Sequence, residues 1–96
     1  MGISIRMKFQ KTVQVINKLG LHARASAELV KIAMTYKSDI HLNLEGQSVD
    51  GKNIMGIMML AATCGSQITI TAEGEDADLA LSAIVTVFSN RFGEKE

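Results

Sequence analysis

The chain has 96 residues, with ten Lys or Arg balanced by ten Asp or Glu, and is 47% apolar but only 4% aromatic. That length implies one domain, residues 1–96 with a core over about 7–92, and an aliphatic interior built from Ile, Leu, Val, Met and Ala. Balanced charge argues against a nucleic-acid binder, no apolar run approaches the roughly 20 residues that cross a bilayer, and a lone Cys64 forbids an internal disulfide, so a cytoplasmic protein without stable membrane association is expected.

Met1-Gly2 is not followed by the Ser or Thr of a myristoylation signal, because the sixth residue is Arg6, and Met1 to Lys8 lacks the apolar centre of a secretion signal. The residues before Met7 fit no element, and Met7 itself is an alternative start. Charge is unevenly distributed along the chain. Up to Lys37 there are seven basic residues against one acid, and beyond it three against nine, so the N-terminal half has the means to steer an acidic partner.

Met7 to Ile16 alternates, with Met7, Phe9, Val13 and Val15 on one side interrupted by Lys11, and reads as a half-buried first strand. Asn17-Lys18-Leu19-Gly20 supplies turn chemistry. From Ala23, Leu29, Ile32, Ala33 and Tyr36 recur at helical spacing and predict a first helix ending near Lys37. Ile40, Leu42 and Leu44 alternate with His41, Asn43 and Glu45, and Glu45-Gly46 reverses the chain into Gln47 to Asp50, which predicts a hairpin. After the loop Asp50-Gly51-Lys52, Asn53 is the expected N-cap of a second helix over Ile54 to Ala62, stopped at Cys64-Gly65. Gln67 to Ala72 alternates as the last strand. Glu73-Gly74-Glu75-Asp76 puts acids before a third helix, where the dipole favours them, and Ala77, Ala80, Leu81, Ile84, Val87 and Phe88 carry that helix to about Arg91. Strand and helix each show one apolar face, so an antiparallel sheet covered on one side by helices is the economical packing. Cys64 reads as a small buried hydrophobe and His41 as an exposed residue of the open sheet face.

The chemistry concentrates in Gly20-Leu21-His22-Ala23-Arg24-Ala25-Ser26. A histidine at the opening of a helix meets unpaired amides, those of Ala23, Arg24 and Ala25, and the positive end of the dipole, with Arg24 on the first turn. An anion fits there. The cationic surroundings favour a neutral ring with one nitrogen free as a nucleophile, and the natural anion is a phosphoryl group carried by His22 itself. By position alone, capping or simple exposure explains most such histidines. A cation at a helix N-terminus is unfavourable, and Arg24 is therefore a reason to expect an anionic ligand. Neither a phosphate-binding glycine loop, a metal-ligand pattern nor a catalytic triad accompanies it, so neither metal nor cofactor is expected and the chain is no self-sufficient enzyme.

Leu21-His22-Ala23-Arg24 after a glycine, then Lys52-Asn53-Ile54-Met55-Gly56, Gly65 before a strand and Thr71-Ala72-Glu73-Gly74-Glu75-Asp76, together resemble the HPr phosphocarrier family of the bacterial phosphotransferase system over Lys11 to about Phe92. The resemblance implies an α+β open-faced two-layer sandwich, βαββαβα, with a four-stranded antiparallel sheet in the order 1-4-2-3 and three helices on one face. It implies that His22 accepts a phosphoryl group on Nδ1 from phosphorylated enzyme I, charged by phosphoenolpyruvate, and passes it to an A-type component. It also implies that Arg24 neutralises the phosphoryl charge and that Ile54, Met55 and Met58 dock partners; a monomer is expected, with a dimer left open by the sequence. Two positions depart from the family pattern. Ala25 replaces the usual proline after the arginine and restores an N–H, while Ser26, where alanine is common, offers a further hydroxyl donor. Asn53 replaces the serine that a regulatory kinase modifies, so that switch is expected to be absent, with the capping role kept. Asn53 and the ending Val87-Phe88-Ser89-Asn90-Arg91-Phe92 also resemble the nitrogen-related branch of the family. A different class, a small α/β module binding ligands or proteins on its open sheet face, would use His41 and Asn43 instead.

Overall fold

The computed structural model describes residues Arg6–Glu96, and the expectations about a leader or a myristoyl site fall largely outside them. The chain runs β1 (Met7–Gln14), α1 (Ala23–Ala33), β2 (Asp39–Leu44), β3 (Gln47–Asp50), α2 (Ile54–Met59), β4 (Gln67–Gly74) and α3 (Ala77–Ser89), then a short 3₁₀ turn over Arg91–Gly93. The sheet is antiparallel in the order β1-β4-β2-β3, as the resemblance implies.

The alternation of β2 and β4 is what turns this sheet into one wall of a core. Ile40 and Leu42 of β2 and Ile68, Ile70 and Ala72 of β4 are fully buried, with Ile40 opposite Ala72 and Leu42 opposite Ile70. Above them lie Ala25, Leu29 and Ala33 of α1 and Ala80, Ile84 and Phe88 of α3, with Ile57 of α2. The opposite sheet face is polar: Lys8, Asp39, His41, Ser48, Thr71 and Glu73 line one shallow depression, and the Thr12 and Thr69 hydroxyls are 2.9 Å apart across β1 and β4.

Four local expectations are corrected by this packing. The first strand is not half-buried: it lies at the sheet edge, Met7 and Phe9 stay exposed, and within the strand only Val13 reaches the core margin. The first helix stops at Ala33, not Lys37, because the Thr35 N–H and hydroxyl both turn back to the Ile32 carbonyl, the hydroxyl at 2.7 Å. The second helix stops at Met59, not Ala62. Tight i→i−3 bonds from Leu60 and Ala61 close it, and Ala61 takes a positive φ of 52°, so that Leu60 and Ala62 can both be buried. Cys64 lies exposed in the turn that follows, not in the core.

Among the acids before α3, Asp76 has a role beyond its place at the helix N-terminus. The Asp76 side chain makes no capping bond to its own helix; it accepts from the Lys37 and Ser38 amides at 2.9 Å and from the Ser38 hydroxyl, tying the α1–β2 connection to the start of α3. These bonds, the Ser38 hydroxyl foremost and then the Lys37 amide, hold the Asp76 carboxyl below the ordinary carboxylate range against the opposing effect of burial.

Candidate functional site

His22 is the N-cap of α1, with extended backbone at φ −74° and ψ 179°, and its carbonyl accepts the first helical bond from Ser26. Three neighbours put it there. The Leu21 side chain is buried, its amide donates to the Ala62 carbonyl at 2.9 Å, and Gly20 supplies a left-handed turn at φ +68° against the same carbonyl. Asn17, fully buried, donates from Nδ2 to the Gly20 carbonyl at 2.8 Å and receives the Gly20 amide on its own carbonyl. The turn carrying His22 is thus clamped between Asn17 and the α2–β4 connection.

The first-turn amides of Ala23, Arg24 and Ala25 belong to the four that no helix can satisfy from within. Arg24 projects from that turn and is more than half exposed. Its Nη1 donates to the Phe92 carbonyl at 3.1 Å and to Glu94 Oε2 at 3.0 Å, while Nη2 and Nε make no hydrogen bond among the described residues. Ser26 does not extend this donor set. Its hydroxyl is buried and spent on the Leu21 carbonyl at 3.1 Å, so the expected extra donor for an anion is not there.

The C-terminal segment supplies a group that no reading of the motif contained. Glu94 Oε2 sits 2.5 Å from His22 Nε2, and Oε1 accepts from Asn17 Nδ2 at 3.0 Å. The histidine ring is about a third exposed at 29%, the glutamate side chain 15%. Burial pushes the Glu94 carboxyl up, but the donors outweigh it: Asn17, then the hydrogen bond and charge of His22, then Arg24 bring it below its ordinary value. Surroundings read as cationic therefore include a carboxylate, reached from 72 positions away. Phe92 anchors that segment: it is 2% exposed, takes a positive φ of 55°, and packs edge-on against Phe88 with centroids 4.9 Å apart. Lys18, Leu19, His22, Arg24 and Lys95 line the cleft around the carboxylate.

Beside the site, Ile54, Met55 and Met58 on α2 are exposed, at 36%, 64% and 39%, and Leu19 is exposed on the turn before His22. The Asn53 side chain accepts from the Gly56 amide at 3.2 Å and caps α2, as expected of it. Lys52, part of the second motif, reaches across to the Tyr36 carbonyl at 2.8 Å and pins the connection that follows α1. His41 is exposed on the open sheet face and lines a depression that does not include His22. Among the described residues no group of three or more His, Cys, Asp or Glu is arranged to hold a metal, and no helix is long and apolar enough to cross a membrane.

Known proteins are similar to this chain in sequence and in fold. A family model described as the PTS HPr component phosphorylation site matches residues 9–90. The phosphocarrier protein HPr of Cupriavidus necator is 47% identical over 87 residues, covering 91% of this chain and 98% of its own. Among solved structures, an HPr from Thermoanaerobacter tengcongensis superposes with a TM-score of 0.89 at 36% identity, covering 92% of this chain and 99% of its own. One from Bacillus anthracis gives 0.80 at 48% identity, covering 82% and 94%.

Proposed function

The chain belongs to the HPr phosphocarrier family of the phosphotransferase system, and from that premise we propose that His22 accepts a phosphoryl group on Nδ1 from phosphorylated enzyme I and surrenders it to an A-type component. One observation carries this reading. Glu94 occupies Nε2, and Nδ1 makes no hydrogen bond among the described residues, so the ring nitrogen left to attack phosphorus is the one that the family's chemistry requires.

In the transfer, the Nδ1 lone pair forms the N–P bond as the bond from phosphorus to the donor's own nucleophile breaks, its electron pair leaving with the donor. The reverse step delivers the group to the A-type component. Phosphoryl transfer of this kind depends on positioning and on spreading charge over the equatorial oxygens, more than on a strong base. Arg24 suits that task because Nη1 tethers it to the tail while Nη2 and Nε remain available to phosphoryl oxygens. The amides of Ala23, Arg24 and Ala25 add donors at the positive end of α1. Enzyme I and the acceptor complete the catalytic machinery, and this chain serves as their protein substrate. Ile54, Met55 and Met58 form its docking patch, methionine being able to repack against two different partners.

Incubation with enzyme I, phosphoenolpyruvate and Mg²⁺ should yield an acid-labile, singly phosphorylated species that an A-type component discharges. His22→Ala should abolish it. Label that survives in the alanine variant would place the acceptor elsewhere and overturn the reading.

A further inference from the structure

The geometry points to Glu94 as a positioning residue of the transfer reaction: its carboxylate fixes the proton on His22 Nε2, holds the ring in place, and stabilises the positive charge that the ring acquires when phosphorus bonds to Nδ1. This inference rests on the phosphocarrier reading above and adds to it a residue outside both sequence motifs.

An ionised carboxylate only accepts hydrogen bonds, so the nitrogen 2.5 Å from Oε2 must be the protonated one. In the neutral ring Nδ1 then carries the lone pair. The electron count closes without a proton leaving the imidazole. The lone pair becomes the N–P bond, the donor keeps the electrons of the bond that breaks, and the ring is left positively charged with its Nε2–H against Glu94. When the group is passed on, the N–P electrons return to Nδ1 and the charge disappears. A carboxylate on the far nitrogen of a reacting histidine has the same role in hydrolase triads, where it orients the ring and stabilises the imidazolium without taking its proton.

The carboxylate is held as a built part of the site. Three donors converge on it, Asn17 on Oε1 and both His22 and Arg24 on Oε2, and the Asn17 amide is fully buried. Phe92, two residues before it, is locked into the core against Phe88. The donors keep the group ionised below the usual carboxylate range. It also lies at the opposite ring nitrogen from the incoming phosphoryl group, so transfer does not require it to leave.

The test uses the full chain with Glu94→Ala and Glu94→Gln, the second preserving side-chain shape without charge. In the wild type, proton NMR should show a far-downfield, slowly exchanging His22 Nε2–H resonance, absent in Glu94→Ala. Phosphorylation by enzyme I should lose about tenfold to a hundredfold in kcat in Glu94→Ala with KM changed less than twofold, and Glu94→Gln should fall between the two. Circular dichroism confirms that each variant is folded. Equal or faster phosphorylation in both folded variants overturns the inference and marks the carboxylate as a bystander or a plug; so does absence of the resonance from the wild type. No phosphorylation of the wild type overturns the phosphocarrier reading, and Glu94 falls with it.

Discussion

Gly20 turns the chain toward His22 against the Ala62 carbonyl, and replacing it by alanine measures how tightly that turn is built. Two costs add. Gly20 has φ +68°, a region that an L side chain enters at about 1 kcal/mol. A Cβ there would also lie 2.4 Å from the Ala62 carbonyl oxygen and 3.0 Å from the Thr63 Cα, both backbone atoms. Relief requires the turn to move off the α2–β4 connection, straining the Leu21-to-Ala62 hydrogen bond of 2.9 Å. Overpacking of this kind costs about 1–3 kcal/mol, and the weakened bond about 1 kcal/mol more. The sum, about 3–5 kcal/mol, lowers Tm by roughly 12–40 °C in a domain where each kcal/mol is worth about 4–8 °C. Gly46 provides the control: its φ is +86°, yet nothing lies within 4 Å of its would-be Cβ. Gly46→Ala should therefore carry the conformational cost alone and lose about 4–8 °C. Thermal unfolding of both variants, followed by calorimetry or circular dichroism, separates the two contributions. Equal Tm values for Gly20→Ala and Gly46→Ala would refute the claim that the His22 turn is wedged against Ala62.

Asn53→Ala removes the acceptor for the Gly56 amide and should cost about 1 kcal/mol, whereas Asn53→Ser should retain most of the cap; equal Tm values for the alanine variant and the wild type would contradict this. Acid should destabilise the fold in a defined direction. Glu94 and Asp76 both titrate lower in the folded chain than in the unfolded one, so their contribution is complete above the ordinary carboxylate range of about pH 4 and is lost as pH falls through the lowered values. Urea midpoints should hold steady from neutral pH to about pH 5 and drop below it, less steeply in an Asp76→Asn, Glu94→Gln double variant, and a double variant as acid-sensitive as the wild type would assign the loss to other groups.

The chain's local periodicities were sufficient for the type and order of every element through α3, because β2, β4 and the helices bury one face whose residues must repeat at that spacing, and β1 keeps the alternation even though it stays exposed at the sheet edge. The alternation of Ile40 and Leu42 against His41 and Asn43 already separates core from open face, and Asn53 announces the start of α2. The motif around His22 likewise declares itself locally, since a histidine, an arginine and the amides they accompany occupy one helix turn. Where elements stop was less legible. Nothing in Leu60-Ala61-Ala62 forbids another helical turn, and the helix ends there because two of the three side chains are needed in a core assembled from distant strands.

The polar contacts that complete the site were decided by the tertiary structure alone. Ser26 looked free to meet an anion until the fold turned its hydroxyl onto the Leu21 carbonyl, and nothing local announced that Asp76 would accept from Ser38, 38 positions away. Glu94 shows the reason most plainly. A hydrogen bond between positions 22 and 94 leaves no period and no spacing in the chain, because it exists only after Phe92 has been drawn into the core and the tail laid across Asn17, His22 and Arg24. Sequence marks the histidine at the start of the first helix; the closing of the chain on itself determines what stands behind that residue.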